Sequence, residues 1–274
     1  MLKTIFEEVR SALFDHEPLV DFLVMGTQKG GTTSLHSILR QHPRLLLPRV
    51  KELHFFDQDR YFFPIKRYGL YHRFFRSEFE KLASCRDRND VPFESFVKGE
   101  VTPIYMYWMP ALDRIHAYNP NVKMIFLLRN PIGRATSHYA MELKRKAEDL
   151  PYPRAIREEE KRLLQFPNKQ HRIFSYVDRG KYAAQIERIL ERFPRQNLLF
   201  IKSDDFQTRF PEEIRKIQEF LGVDPVHLKS EFLHSGDTQQ PRSEDKAYLM
   251  DIFLPDIERL ERLTGLDCRA WKAA

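Results

Sequence analysis

Cysteine is nearly missing from this 274-residue chain: Cys85 and Cys268 stand far apart with no CxxC spacing. That excludes a disulfide framework and a cysteine metal centre, and it points to reducing surroundings. No segment approaches the roughly 18 uninterrupted apolar residues of a membrane-spanning helix. Glu7, Glu8 and Arg10 interrupt the place where a secretory leader would carry its apolar run. There is no internal repeat and no low-complexity tract. These lacks predict a cytoplasmic protein with no membrane span. Glycine is scarce as well, ten in all, yet Gly26, Gly30 and Gly31 fall within six residues of one another.

What is present is ordinary globular material. Hydrophobic residues make up 42% and charged residues 31% of the chain, which excludes disorder. The length suits one domain, residues 1–274. A net charge of +6, from 45 basic and 39 acidic residues, favours a phosphorylated cofactor or an acidic substrate. The excess is spread along the chain, and Lys144-Arg145-Lys146 runs into Glu148 and Asp149, so a solvated helix face is expected there and no nucleic-acid partner.

Leu2, Ile5, Phe6, Val9 and Leu13 recur at helical spacing, which predicts an amphipathic helix before Pro18, packed on the domain within residues 1–17. Strands are expected at Val20–Met25, Val97–Val101, Val122–Leu128 and Leu198–Lys202. Helices are expected at Thr32–Gln41, Gly133–Lys146, Arg179–Phe193, Pro211–Leu221 and Ser243–Leu263, the last broken near Pro255. Apolar strands alternating with helices, with few hairpin signals, imply an α/β fold: a P-loop-like, three-layer arrangement in which helices flank a central, mostly parallel sheet. Nine large aromatic rings between Glu52 and Arg76 could stack on bases. So many rings could hardly all be exposed, and most are expected in the core or a cleft wall.

The glycine cluster lies between a strand and a helix, where peptide N–H groups can approach an anion and the helix terminus adds unpaired donors. Lys29 supplies charge, and Thr32, Thr33 and Ser34 bring hydroxyls to the first helical turn. A magnesium-binding Walker loop reads GxxxxGK[ST]. Here Lys29 precedes Gly30-Gly31 and no Gly-Lys-Ser/Thr follows, which disfavours a magnesium-dependent NTPase. Downstream, Arg129 closes a strand, Asn130-Pro131 follows, and Ser137 lies on the next helix, so that Arg129 and Ser137 can converge on one anion.

Gln28-Lys29-Gly30-Gly31-Thr32-Thr33-Ser34-Leu35 resembles the 5′-phosphosulfate loop of sulfotransferases that use 3′-phosphoadenosine 5′-phosphosulfate (PAPS). Arg129-Asn130-Pro131, continuing to Arg134 and Ser137, resembles that family's 3′-phosphate site. Lys51-Glu52-Leu53-His54-Phe55-Phe56 resembles the segment carrying the catalytic acid in glycan-type and bacterial members, and Asp178 to Tyr182 resembles the following helix. The resemblance covers about residues 20 to 265 and implies a transferase that moves the sulfuryl group of PAPS to an acceptor hydroxyl, leaving PAP, with no metal expected. It implies that Lys29 sits at the phosphosulfate, with Gln28, Gly30, Gly31, Thr32, Thr33 and Ser34 around it, and that Arg129 and Ser137 hold the 3′-phosphate. Glu52 would be the base, with His54 as the other candidate; an ion pair of Glu52 with Lys29 or Lys51 is the structural alternative. Arg242 follows Ser235-Gly236-Asp237, where animal members carry a further loop. Where glycan enzymes commonly place a second lysine, this chain has Val101, leaving Lys51, Arg60 or Lys98 as substitutes. The acceptor class stays open among a small molecule, a lipid, a carrier-bound acyl chain and a glycan. The rival readings are a kinase-like phosphoryl transferase and a silent nucleotide or nucleic-acid binding module.

Overall fold

The structure, a computed structural model, describes residues 18–84, 91–232 and 240–273. The helix expected within residues 1–17, Cys85 and Ser235-Gly236-Asp237 lie outside the described residues. Strands β1 (Phe22–Gly26), β2 (Leu45–Leu46), β3 (Val97–Val101), β4 (Lys123–Leu128) and β5 (Leu198–Lys202) form one sheet in the order β2-β3-β1-β4-β5. Every neighbouring pair is parallel. The expected bounds of β3 and β5 are those observed, and β1 and β4 begin later than expected. β2 carried no sequence signal, because two leucines are too few to show a period.

The pleat divides the strand residues between two cores. Phe22, Val24, Ile125, Leu127 and Ile201 face α1 (Thr32–Leu39), together with Phe206, Ile214, Ile217 and Leu221 from the Ser203–Thr208 and Phe210–Leu221 helices. Leu23, Met25, Met124, Phe126 and Phe200 face the larger core, built with α2 (Tyr68–Ala83), α3 (Met109–Tyr118), α4 (Pro131–Lys144), α5 (Tyr182–Leu190) and α6 (Ser243–Thr264). Burial on both faces makes these strands read as continuous apolar runs. The break expected at Pro255 does not occur, and α6 runs through it. Pro255 is exposed, so the carbonyl it leaves unbonded faces water, while Leu249, Phe253, Ile257 and Leu260 bury one unbroken face across it.

Of the nine aromatics between Glu52 and Arg76, Phe55, Phe56, Phe62, Tyr68, Tyr71 and Phe75 are buried, as the core reading expects. Phe55 stacks on Tyr71 at 4.6 Å, a contact of the kind worth about 0.5–1.5 kcal/mol beyond its area. Inside this cluster the Tyr105 hydroxyl accepts the Phe55 amide at 2.9 Å and donates to Glu100 at 3.1 Å. Buried Glu100, on β3, also receives Tyr71 and Thr102, each at 2.7 Å. The segment after Glu52 is thereby tied to the sheet through a tyrosine oxygen.

Tyr105→Phe removes that oxygen while keeping the ring, and leaves the buried Phe55 amide without its acceptor. A loss of about 1–3 kcal/mol is expected, read as a lower urea midpoint at unchanged m-value.

Candidate active site

Parallel strands deliver their carboxyl ends to one edge, and four of the five ends meet there. The first is the loop after β1. The Thr27 amide and hydroxyl both donate to the Leu127 carbonyl, at 2.8 and 3.2 Å, and the Gly30 amide returns to the Thr27 carbonyl at 2.9 Å. A Cβ on Gly30 would lie 2.6 Å from that same Leu127 oxygen, and Gly31 sits at φ 92°, so the loop needs glycine at both positions. The Gly30 carbonyl is turned away and held by Ser203, at the end of β5, at 2.7 Å. The first turn of α1 has no side-chain cap and no acidic residue, so its amides point into the loop as an anion seat.

Arg129, at the end of β4, donates to the Lys29 carbonyl at 3.1 Å. Its guanidinium lies across Gly133, 3.5 Å from where a Cβ would stand, and Ser137 follows one turn later on the same helix face. Asn130 caps α4 by accepting the Ile132 and Gly133 amides at 2.9 and 3.3 Å, with Pro131 in the first turn, so the sequence itself sets where this helix begins. Below the loop, the buried Arg179 donates to the Gln28 side chain. Arg134 Nε and Nη1, Arg179 Nε and both ring nitrogens of His138 are buried without hydrogen-bond partners, although Glu142 lies 3.6 Å from His138 Nε2. Burial pushes the Lys29 ammonium below its ordinary pKa, and Arg129, Arg145 and Lys51 add to the shift. So many cations at one strand edge suit an anionic ligand.

The second seat is the segment after β2, which lies against the carboxyl end of β3. The Glu52 amide bonds the Val101 carbonyl at 3.0 Å, and Glu52 and His54 adopt left-handed backbone, φ 61° and 51°, as Lys29 does at 69°. Their side chains form a row: Lys51 pairs with Glu52, Glu52 lies 3.5 Å from His54 Nε2, and His54 Nδ1 lies 3.0 Å from the buried carboxylate of Asp57, which also receives Arg172. Burial opposes a charge on Glu52, but the His54 hydrogen bond and the Lys51 ammonium outweigh it and hold the carboxyl down to about 2. The bonds to Asp57 and then Glu52 push His54 up to about 9 against its burial. A ring with a carboxylate on each nitrogen is an imidazolium at neutral pH.

Of the residues nominated by sequence, Gln28 to Ser34 form the loop, Arg129 bonds it and lies over the helix that carries Ser137, and Glu52 with His54 forms the ion-paired row. The structural alternative for Glu52 is present in the Lys51 pair. Arg242 is exposed at the start of α6, and no described hydrogen bond or ion pair joins it to the loop. Val101 is buried in the α1-side core. Lys98 bonds the Phe96 carbonyl at 2.7 Å at the opposite, amino end of β3, and Arg60 is exposed against Tyr61, so Lys51 is the candidate substitute that stands at the site. Sequence reasoning missed Asp57, Arg172 and Arg179. Asp57 lies three residues after His54, a readable spacing; Arg172 has no local signal.

A family model described as a sulfotransferase domain matches residues 19–236. Human heparan sulfate glucosamine 3-O-sulfotransferase 6 is 30% identical over 210 residues, covering 77% of this chain and 54% of that protein. The mouse 3-O-sulfotransferase 3A1 is 29% identical, over 77% of this chain and 47% of the relative. The chain thus spans about half the length of the curated relatives it matches. A crystal structure of a sulfotransferase from Alicyclobacillus acidocaldarius superposes with a TM-score of 0.73 at 27% identity, over 92% of this chain and 98% of that one.

The pKa shifts set a pH window. The His54 contribution to stability is complete below its ordinary 6.5 and lost as pH rises through 9; that of Glu52 is present above 4.5 and lost as pH falls through 2. Melting of His54→Gln against the parent should therefore show its largest deficit between pH 4.5 and 6.5, shrinking as pH passes 9.

Proposed function

The chain belongs to the sulfotransferase-domain family, and on that premise we propose that it transfers a sulfuryl group from PAPS to an acceptor hydroxyl, with Lys29 at the donor and Glu52 as base. The convergence of a glycine-bounded, lysine-bearing loop with Arg129 and an ion-paired acid on one strand edge supports this reading. The residues fit such a donor. The uncapped α1 terminus with Lys29 suits a phosphosulfate, Arg129 and Ser137 suit a second phosphate, and the unpartnered buried arginine nitrogens face a need for negative charge. PAPS, when bound, supplies an activated sulfuryl group and leaves as PAP.

The protein's contribution is positioning and electrostatics, as in phosphoryl transfer. Lys29 and the α1 amides hold negative charge where it builds on the leaving side. The row geometry favours Glu52 over His54 as proton acceptor: His54 already carries both ring protons, whereas Glu52 is ionised. A carboxylate held near 2 is a weak base, and an acceptor hydroxyl entering beside Lys51 loosens that pair and raises the proton affinity of Glu52. His54, held by Asp57, fixes the orientation of the carboxylate and keeps it ionised before the acceptor enters. Relatives named for the 3-oxygen of heparan sulfate glucosamine make a glycan hydroxyl the first acceptor class to test. A 440 Å³ depression lined by Leu53, Phe55, Tyr61 and Phe74 together with Arg49 and Arg73 adjoins the base segment.

Incubation with PAPS and pooled glycan, lipid and small-molecule acceptors, with and without magnesium, should release PAP and a sulfate ester, followed by mass spectrometry. Glu52→Gln should lower turnover by roughly 10²- to 10⁴-fold. Lys29→Ala should chiefly lower kcat. PAP should raise the melting temperature of the parent but not of the Lys29→Ala, Arg129→Ala double variant; binding that survives both changes overturns the donor assignment.

A further inference from the structure

The donor loop and the base segment leave different strands, yet one transfer needs them at a fixed separation. A continuous row of contacts, through side chains and the Arg172 backbone carbonyl, joins them by way of a third segment, far from both in sequence. Arg179 Nη1 donates to Gln28 in the loop, and Arg179 Nη2 donates to the Arg172 carbonyl at 2.7 Å. Arg172 in turn forks onto Asp57, Nη1 to the carboxylate and Nη2 to the backbone carbonyl at 2.7 Å. Asp57 meets His54 at 3.0 Å, and His54 meets Glu52.

Both guanidiniums are clamped from one side by neighbouring aromatics. Arg172 lies over the Trp108 ring at 4.6 Å and Arg179 over the Tyr107 ring at 4.9 Å, and the Tyr107 hydroxyl donates to Asp178 at 2.9 Å. Burying Arg179 with its Nε unpartnered is costly: burial pushes its pKa down to about 10, and a planar fork at this place serves geometry better than stability. Arg172 fixes Asp57 at two atoms, so Asp57 has little freedom in how it presents its oxygen to His54.

We propose that Arg172 and Arg179 are positioning residues that transmit the placement of the donor loop at Gln28 to the Glu52–His54 pair, so that donor binding and base alignment are coupled. The inference rests on the donor reading of the loop. Neither arginine need touch the reacting atoms; each acts through the next group in the row.

The test follows the His54 imidazole by NMR, its resonances assigned by their loss in His54→Gln. Saturating PAP should shift them in the parent. In Arg172→Ala, PAP should still raise the melting temperature while the His54 response disappears, and Arg172→Lys, which keeps charge but loses the fork, should restore part of it. With an acceptor in hand, Arg172→Ala should lose roughly tenfold to a hundredfold in kcat at unchanged KM for PAPS, the scale of a misplaced catalytic group. A full PAP-induced His54 shift in Arg172→Ala overturns the coupling. If the parent itself shows no PAP-induced rise in melting temperature, the donor reading fails instead. The coupling is then judged in ligand-free Gln28→Ala, where displaced His54 resonances support it and unmoved ones overturn it.

Discussion

The Leu127 carbonyl is the point on which the site is built. It accepts the amide and the hydroxyl of Thr27, and it lies so close to Gly30 that no side chain fits between them. One strand-end oxygen thus fixes both the entry of the donor loop and its narrowest turn. It can do so because β1 and β4 are parallel neighbours whose register slips between Val24 and Gly26, bringing the end of β1 against the end of β4. In the strand order β2-β3-β1-β4-β5, β1 stands between the two halves of the sheet, the place where open parallel sheets bind ligands at the strands' carboxyl ends. Arg129, Ser203 and the Val101 carbonyl are carried to the same edge by the ends of β4, β5 and β3.

Charge is distributed unevenly along that edge. The donor side gathers Lys29, Arg129, Arg134 and Arg179 with few acids, and nearby His138 is held neutral by its burial and by those cations. The base side is balanced: Lys51, His54 and Arg172 alternate with Glu52 and Asp57. One half therefore carries an excess of positive charge, while charges of opposite sign alternate along the other. Backbone strain follows the same division of labour. Lys29, Glu52 and His54 are three of the six non-glycine residues with positive φ among the described residues, and such positions cost on the order of 1–3 kcal/mol when the surroundings must enforce them. The aromatic cluster under Glu52 is the enforcing structure, through Tyr105 and its hold on the Phe55 amide.

Much of this was legible in the chain. Buried parallel strands announce themselves as apolar runs, and β4 and β5 fell where those runs lie, whereas β3 shows only a valine at each end. The loop was readable because glycine is rare here and lysine precedes the pair; α4 was expected from Gly133, and the Asn130 cap with Pro131 in the first turn starts it two residues earlier. Local chemistry of this kind acts between residues a few positions apart, so it leaves a pattern in sequence. The mistaken break at Pro255 shows the limit of that logic: a proline's effect depends on which face it occupies, and exposure is not a local property.

By itself the sequence determined the alternation of strands and helices and the glycine-bounded loop at Gly26 to Ser34, and it nominated Arg129, Ser137, Glu52 and His54 for the site. Tertiary structure alone decided that Lys98 lies at the far edge of the sheet while Lys51 stands at the site, that Glu52 is held as a carboxylate between two cations, and that Arg172 reaches Asp57 across 115 positions of chain. The reason is physical. A capping bond or a glycine turn is fixed by neighbouring residues, whereas a pKa, an ion pair or a second support is fixed by whatever the folded chain brings within a few ångströms.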